Sequence, residues 1–303
     1  MKLCTFLKSH LESVRRVTRE TLQKIMQSLG PGYLNLLLGE MTPLLNRGFQ
    51  VHVLVFTIHA VLNCLKPMYK PTDIDKILLT VIQLCQTDLF GTLSEEKEVA
   101  KIAVKTSEAK STKSFDTFQI LAQFVTDKCL MDLILPIKNT LHNSHSYKTV
   151  YKAQECLRHI ALGLVDNEFV QTQSLLIFAY GTSSESIPEL APQEKTQISD
   201  KERERLRREK PDCFIIPPAP VGRSGVRISN VKSSVKTNAH LLVEFGLRLC
   251  HVLLKRDKLK DGDYKPYLDP FVAVFEKCLT SKHVKVGFTP HTITIYNQLQ
   301  NFS

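Results

Sequence analysis

Three apolar helical stretches of this chain carry a proline near their middle, at Pro43, Pro136 and Pro270, and the first two lead through a polar turn into a second helix. A proline inside a helix removes one backbone donor and bends the rod, a cost that a curved repeat accommodates. The prolines are 93 and 134 residues apart, and setting aside a polar insertion of 52 residues, Ser184 to Val235, leaves 82 for the second interval. Halved, the intervals are about 46 and 41, inside the ~40 to 47 residue period of HEAT and armadillo units. The expected fold is therefore all-α, a HEAT/armadillo-like α-solenoid with a disordered basic insertion.

Strand signals are scarce. Before the last 17 residues no segment sustains an alternation of apolar and polar side chains, whereas a 3.6-residue period recurs along most of the chain. The most apolar run, Val51 to Leu65, contains His52, Thr57, His59 and Asn63. It is shorter than the ~20 residues needed to span a bilayer and reads as a helix buried between neighbours, so no membrane partner is expected. Lys8, His10 and Glu12 cut short any signal-peptide core near the N-terminus.

Four segments follow from composition: helical repeats over 1–183, a flexible Pro-containing basic linker over 184–238, continued repeats over 239–286 and an atypical tail over 287–303. In the first helix, Leu11, Val14, Leu22, Ile25, Met26 and Leu29 share one face, and Arg15, Arg16, Arg19 and Lys24 take much of the remainder. Thr72, followed by Asp73 and Asp75, is the expected N-cap of a helix running on to Leu89. A further helix is expected over Glu168 to Tyr180. At the far end the Pro270 helix lacks the partner that the pattern calls for, which predicts an uncovered apolar face on Leu268, Phe271, Val274, Phe275 and Leu279 and hence self-association.

The formal charge of +10 favours anionic partners. Half of it lies between Ser199 and Asn238, where ten Lys or Arg face five Asp or Glu. Within that stretch, Lys201 to Lys210 mixes signs at i,i+3 and i,i+4 spacings and reads as a short solvated helix; Arg207, Arg208 and Lys210 are its basic end. Arg223, Arg227, Lys232 and Lys236 stand in a window, Gly222 to Asn238, that has no acidic residue. These seven side chains are the candidate RNA or anion contacts, suited to phosphate and, without aromatic neighbours, not to reading bases.

Catalytic signals are weak. Twelve glycines build neither a dinucleotide fingerprint nor a P-loop, and no GxSxG or HExxH occurs. Cys156 and His159 are three apart on one helix and formally could be nucleophile and base, but no third group is in view and helix packing is the ordinary reading. His142 and His145 share a turn, and two ligands do not make a metal site. His52 and His59 read as satisfied core histidines. Of eight cysteines none forms a CxxC or CxxH pair, and seven lie in or beside apolar helical segments, as small buried hydrophobes do in a reducing compartment. No cofactor, metal or small-molecule substrate is expected, and the chain reads as no enzyme.

The phrase Gln27-Ser28-Leu29-Gly30-Pro31-Gly32-Tyr33-Leu34, the helix beginning Val51-His52-Val53-Leu54-Val55, and the stretch Pro266 to Val286 resemble the DRIM, or U3 small nucleolar RNA-associated protein 20, family. The resemblance runs from about Leu11 to Val286. It implies a nucleolar HEAT-repeat scaffold of the small-subunit processome, partnered by other processome proteins and by pre-rRNA or U3 snoRNA, that supports processing toward 18S rRNA. It also implies an internal or truncated piece, since family members are many times longer, and Gly287 to Ser303 departs from the pattern. The competing reading is a HEAT-repeat transport receptor or adaptor that binds proteins only.

Overall fold

A computed structural model describes residues 2–91, 108, 113–188, 238–259 and 264–280. Among them the regular structure is entirely helical. We number the α-helices α1 (Glu12–Leu29), α2 (Leu34–Leu44), α3 (Phe49–Cys64), α4 (Leu78–Phe90), α5 (Ser114–Phe124), α6 (Leu130–Asn143), α7 (Tyr147–Val165), α8 (Thr172–Ser186), α9 (His240–Lys255) and α10 (Lys265–Thr280).

The packing resolves into two layers. Odd-numbered helices succeed one another, α1 on α3, α3 on α5, α5 on α7 and α7 on α9, while α4 packs on α6 and α8 on α10. The layers are joined within each repeat, α2 to α3, α4 to α5, α6 to α7 and α8 to α9. This is an α-solenoid, in which each unit is stabilised by its neighbours. The three prolines fall in α2, α6 and α10, every second even helix among the described residues, so each interval between them spans two described repeats. Pro43 is the penultimate residue of α2 and not near its middle, as the apolar stretch suggested, because the helix stops at Leu44.

Burial follows position in the array. In α3 the five residues Val51 to Val55 are all buried, because α1, α2, α4 and α5 surround it, so the helix is apolar on every side. Two glycines let helices approach closely. A Cβ on Gly163 of α7 would fall 2.8 Å from Ala122 Cβ and against the Gln119 carbonyl of α5, and one on Gly246 of α9 would fall 2.5 Å from the Ala179 carbonyl of α8.

The structure corrects four expectations. Arg15 does not face solvent: it is 1% exposed, while Leu11 and Leu29 are exposed. Thr72 has φ of 75°, unlike an N-cap, and α4 begins only at Leu78. The preceding turn is held elsewhere: Asp73 Oδ2 accepts from the Lys70 amide at 3.0 Å, and Asp75 accepts from the amide and hydroxyl of Thr126 at 3.1 and 2.6 Å. The expected helix over Glu168 to Tyr180 starts at Thr172 and extends to Ser186, because Asn167 Oδ1 captures the Phe169 and Val170 amides in a turn at 2.7 and 3.2 Å. Finally, Leu268, Phe271, Val274 and Phe275 of α10 are buried, with Tyr180 of α8 edge-on to Phe271 at 5.7 Å, so these four positions of the face expected to be uncovered are covered; the Leu279 side chain lies outside the described residues.

Candidate functional site

The array positions its polar groups in three ways: sealed inside, spent on helix ends, or displayed at turns. The first class includes the largest fully buried side chain, Arg15. Its Nε and Nη2 donate to Glu108 Oε1 and Oε2 at 2.9 and 2.7 Å, and its Nη1 donates to the Ser9 and His10 carbonyls. Arg19 adds a bond to Glu108 Oε1 at 2.7 Å and lays its guanidinium 4.4 Å from the Phe56 ring centre. Burial alone would raise the Glu108 pKa, but the bonds from Arg15, its own backbone and Arg19 prevail and bring it to about 2.

A second sealed node joins three helices. His52 Nδ1 of α3 donates to Asp88 Oδ1 of α4 at 2.7 Å, and Ser114 Oγ of α5 donates to Asp88 Oδ2 at 2.6 Å. All three are buried. The carboxylate lies between the imidazole and the hydroxyl, so the imidazole does not reach the serine as it does in a catalytic triad, and the buried set is a structural tie. His52 was expected as a satisfied core histidine; its partner Asp88 is 36 residues away in sequence, and Ser114, which completes the node through Asp88, is 62 away, where no local pattern reveals them. His59 is likewise half-buried, with its Nδ1 3.4 Å from Thr117 Oγ1.

Cys156 and His159 are not a catalytic pair. The Cys156 thiol is buried and burial holds its pKa well above the ordinary thiol value, which leaves no thiolate to attack. His159 Nε2 accepts from Arg158 Nη2 at 3.1 Å, so Nδ1 carries the proton and donates to Gln119 Oε1 at 3.2 Å. Burial, reinforced by Arg158, lowers its pKa and keeps it neutral. The seven described cysteines are free thiols.

Two buried or part-buried asparagines belong to the second class. Asn167 Nδ2 donates to the Ala122 and Val125 carbonyls at the end of α5, both at 2.8 Å. Asn238 Nδ2 donates to the Leu141 and Ser144 carbonyls at the end of α6, at 2.8 and 2.9 Å. The second contact fastens the chain just before α9 to the turn between α6 and α7.

That turn and its surroundings make up the third class. His142 and His145 are exposed there, and no cluster of three potential metal ligands occurs among the described residues. Beside it, between α4 and α6, lies a cleft of about 540 Å³ lined by Gln86, Phe90, Asn139, Asn143 and Thr149 among others. Gln86 Nε2 crosses its floor to the Pro136 carbonyl at 3.2 Å. On α7, Tyr147 and Tyr151 are 83% and 54% exposed. Elsewhere the even helices each display an aliphatic side chain: Leu36, Leu79, Met131, Leu135, Ile177 and Val272. No helix among the described residues is long and apolar enough to cross a membrane.

The basic candidates Arg207, Arg208, Lys210, Arg223, Arg227, Lys232 and Lys236 lie outside the described residues. The described flanks are Pro188, just after α8, and Asn238 at the α6–α7 turn.

Comparison with known proteins bears on the same region. Residues 1–183 match the family described as the U3 small nucleolar RNA-associated protein 20 domain, which takes in α1 to α7 and most of α8. The U3 small nucleolar RNA-associated protein 20 of Schizosaccharomyces pombe is 32% identical over 177 residues, 58% of this chain and 7% of that protein. Its Saccharomyces cerevisiae namesake is 32% identical over 205 residues, 66% of this chain and 8% of that protein. The chain thus spans less than a tenth of the length of these relatives.

Proposed function

This chain belongs to the U3 small nucleolar RNA-associated protein 20 family, and from that premise we propose that it is a scaffold segment of the small-subunit processome, acting in the nucleolus. It supports pre-rRNA processing toward 18S rRNA by holding partners along an extended surface and does no chemistry of its own. Its partners are other processome proteins together with pre-rRNA or U3 snoRNA. The observation that carries the reading is the coincidence of the family match, residues 1–183, with the first eight helices of the two-layer array. Two names on relatives that are many times longer, both U3 small nucleolar RNA-associated, support the class of assembly.

Within this reading, Arg207, Arg208, Lys210, Arg223, Arg227, Lys232 and Lys236 supply phosphate contacts, and the acid-free window that holds the last four closes at Asn238. Crosslinking of the tagged chain in cells followed by RNA sequencing tests it. Enrichment of U3 and pre-ribosomal RNA is the expected result, and its absence, with the chain folded and expressed, refutes RNA contact. The row of exposed aliphatic residues on α2, α4, α6, α8 and α10 favours a second reading, an adaptor of the HEAT class that binds proteins only. Nucleolar enrichment that is lost on RNase treatment separates the two.

A further inference from the structure

The geometry points to a binding site for an unpaired RNA strand at the elbow between α6 and α7, formed by Tyr147, Tyr151, Lys148 and His142 with the cleft amides Asn139 and Asn143; the inference rests on the ribonucleoprotein reading above. Five observations converge there. First, Tyr147 and Tyr151 are one helical turn apart on one face of α7, and both rings are presented to solvent at 83% and 54% exposure. Large aromatic faces left open to water in adjacent turns are the form of a stacking platform, since every base has a π-face to offer.

Second, the electrostatics suit a polyanion. From Leu133 to Gln154 the chain has no acidic residue, yet it has Lys138, Lys148, Lys152 and two histidines. All three lysines are engaged within the fold: Lys138 pairs with Glu185 at 2.7 Å, Lys152 Nζ caps the Leu89 carbonyl at 3.2 Å, and the exposed Lys148 also has a partner, so what they offer an incoming phosphate is local positive potential. The nearest carboxylate down the same face, Glu155, is held by Arg158 at 2.9 Å, which removes its repulsion from an approaching phosphate.

Third, the cleft adjoins the platform. Thr149 lines it from α7, and the helical period places Lys148 and Lys152 between the tyrosine face and Thr149. A strand crossing from the rings toward the cleft therefore passes over the lysines. Fourth, the amides of Asn139 and Asn143 offer both donors and acceptors at the cleft, the groups that read the edges of unpaired bases. Phe90, Leu135 and Pro136 line the cleft beside these amides and offer a base an apolar face to lie on, and a duplex would leave the rings unused. Fifth, Asn238 fixes the end of the acid-free basic window to this same turn through Leu141 and Ser144.

The test is fluorescence anisotropy of the 303-residue chain with an unstructured labelled oligouridylate of about 12 nucleotides, set beside a blunt RNA duplex at equal salt. The paired variants are Tyr147→Ala/Tyr151→Ala and Tyr147→Phe/Tyr151→Phe, both at exposed positions that leave the fold intact by circular dichroism. The alanine pair is expected to weaken strand binding by about 10-fold or more, and the phenylalanine pair to bind within about twofold of the parent, because the ring and not the hydroxyl stacks. Binding of the alanine pair at parent strength overturns the site, as does a loss of equal size in the phenylalanine pair, a parent that prefers duplex, or a parent that does not bind the strand. In cells, an alanine pair that still recovers U3 and pre-ribosomal RNA at the parent level overturns the elbow site while the processome reading stands. If it loses a protein instead, the elbow is a protein contact and the inference fails.

Discussion

Arg15 and Glu108 form a bidentate pair closed off from water, with side chains 1% and 2% exposed and 93 residues between them in sequence. The pair fastens Glu108 to the first helix at a point where α1 and α3 meet. A buried charge that loses its partner is strongly destabilising, whereas exchange of both partners for apolar groups is often neutral.

Glu108→Ala is therefore expected to lower unfolding free energy by about 3–5 kcal/mol, read by urea titration. The triple variant Arg15→Met/Arg19→Met/Glu108→Leu is expected to recover much of that loss, because no charge of the cluster is then left without its partner. A triple variant no better than Glu108→Ala would refute the account.

Acid should unfold the array in two overlapping stages. Burial is the chief cause that lowers the His59 pKa from 6.5 to about 4; Asp116 opposes it and Lys113 and Lys66 reinforce it. Between those values the unfolded chain binds the proton and the folded one refuses it, so stability falls as pH drops from 6.5 through about 4. Glu108, lowered from 4.5 to about 2, contributes stability that is complete above 4.5 and is lost as pH falls toward 2. His59→Gln should flatten the upper stage of a stability profile and Glu108→Gln the lower.

The same substitution should have opposite signs at different glycines. Gly163→Ala and Gly246→Ala force α7 from α5 and α9 from α8, at a cost of roughly 1–3 kcal/mol each. Gly39 and Gly181, inside α2 and α8 with nothing within 4 Å of a built Cβ, should gain roughly 0.5–1 kcal/mol on change to alanine. Thermal melts of the four variants decide it.

Asn167 uses both ends of its amide, two donations to α5 and two acceptances from its own turn. Asn167→Asp keeps the shape but turns an oxygen toward the Ala122 and Val125 carbonyls. A loss of about 3 kcal/mol is expected, near that of Asn167→Ala, because two buried acceptors lose their donor either way. Retention of parent stability by the aspartate variant would count against the assignment.

Periodicity and proline placement made helices of the array legible: α3 lies within two residues of the run Val51 to Leu65, and α2, α6 and α10 each contain the proline that marked them. What stayed hidden was set by distant partners. Arg15 projects onto the apolar stripe of α1, between Leu22 and Met26, but its charge set it among the polar residues, and the distant Glu108 that receives it leaves no trace in the local pattern. Asp75 and Asn167 displaced two helix starts through bonds to Thr126 and to local amides, which leave no trace in a hydrophobic pattern. At the elbow, the tyrosines escaped notice because exposure is not written in spacing. The basic arm, conspicuous in composition, lies outside the described residues.

The alternation of proline-bearing and plain helices along the even layer has a genealogical consequence. The unit that repeats faithfully is four helices long, two repeats taken together. A recombination that added or lost one repeat would set two proline helices, or two plain ones, side by side, and so alter the bend of the rod. Exchange of whole quartets preserves the alternation of proline-bearing and plain helices.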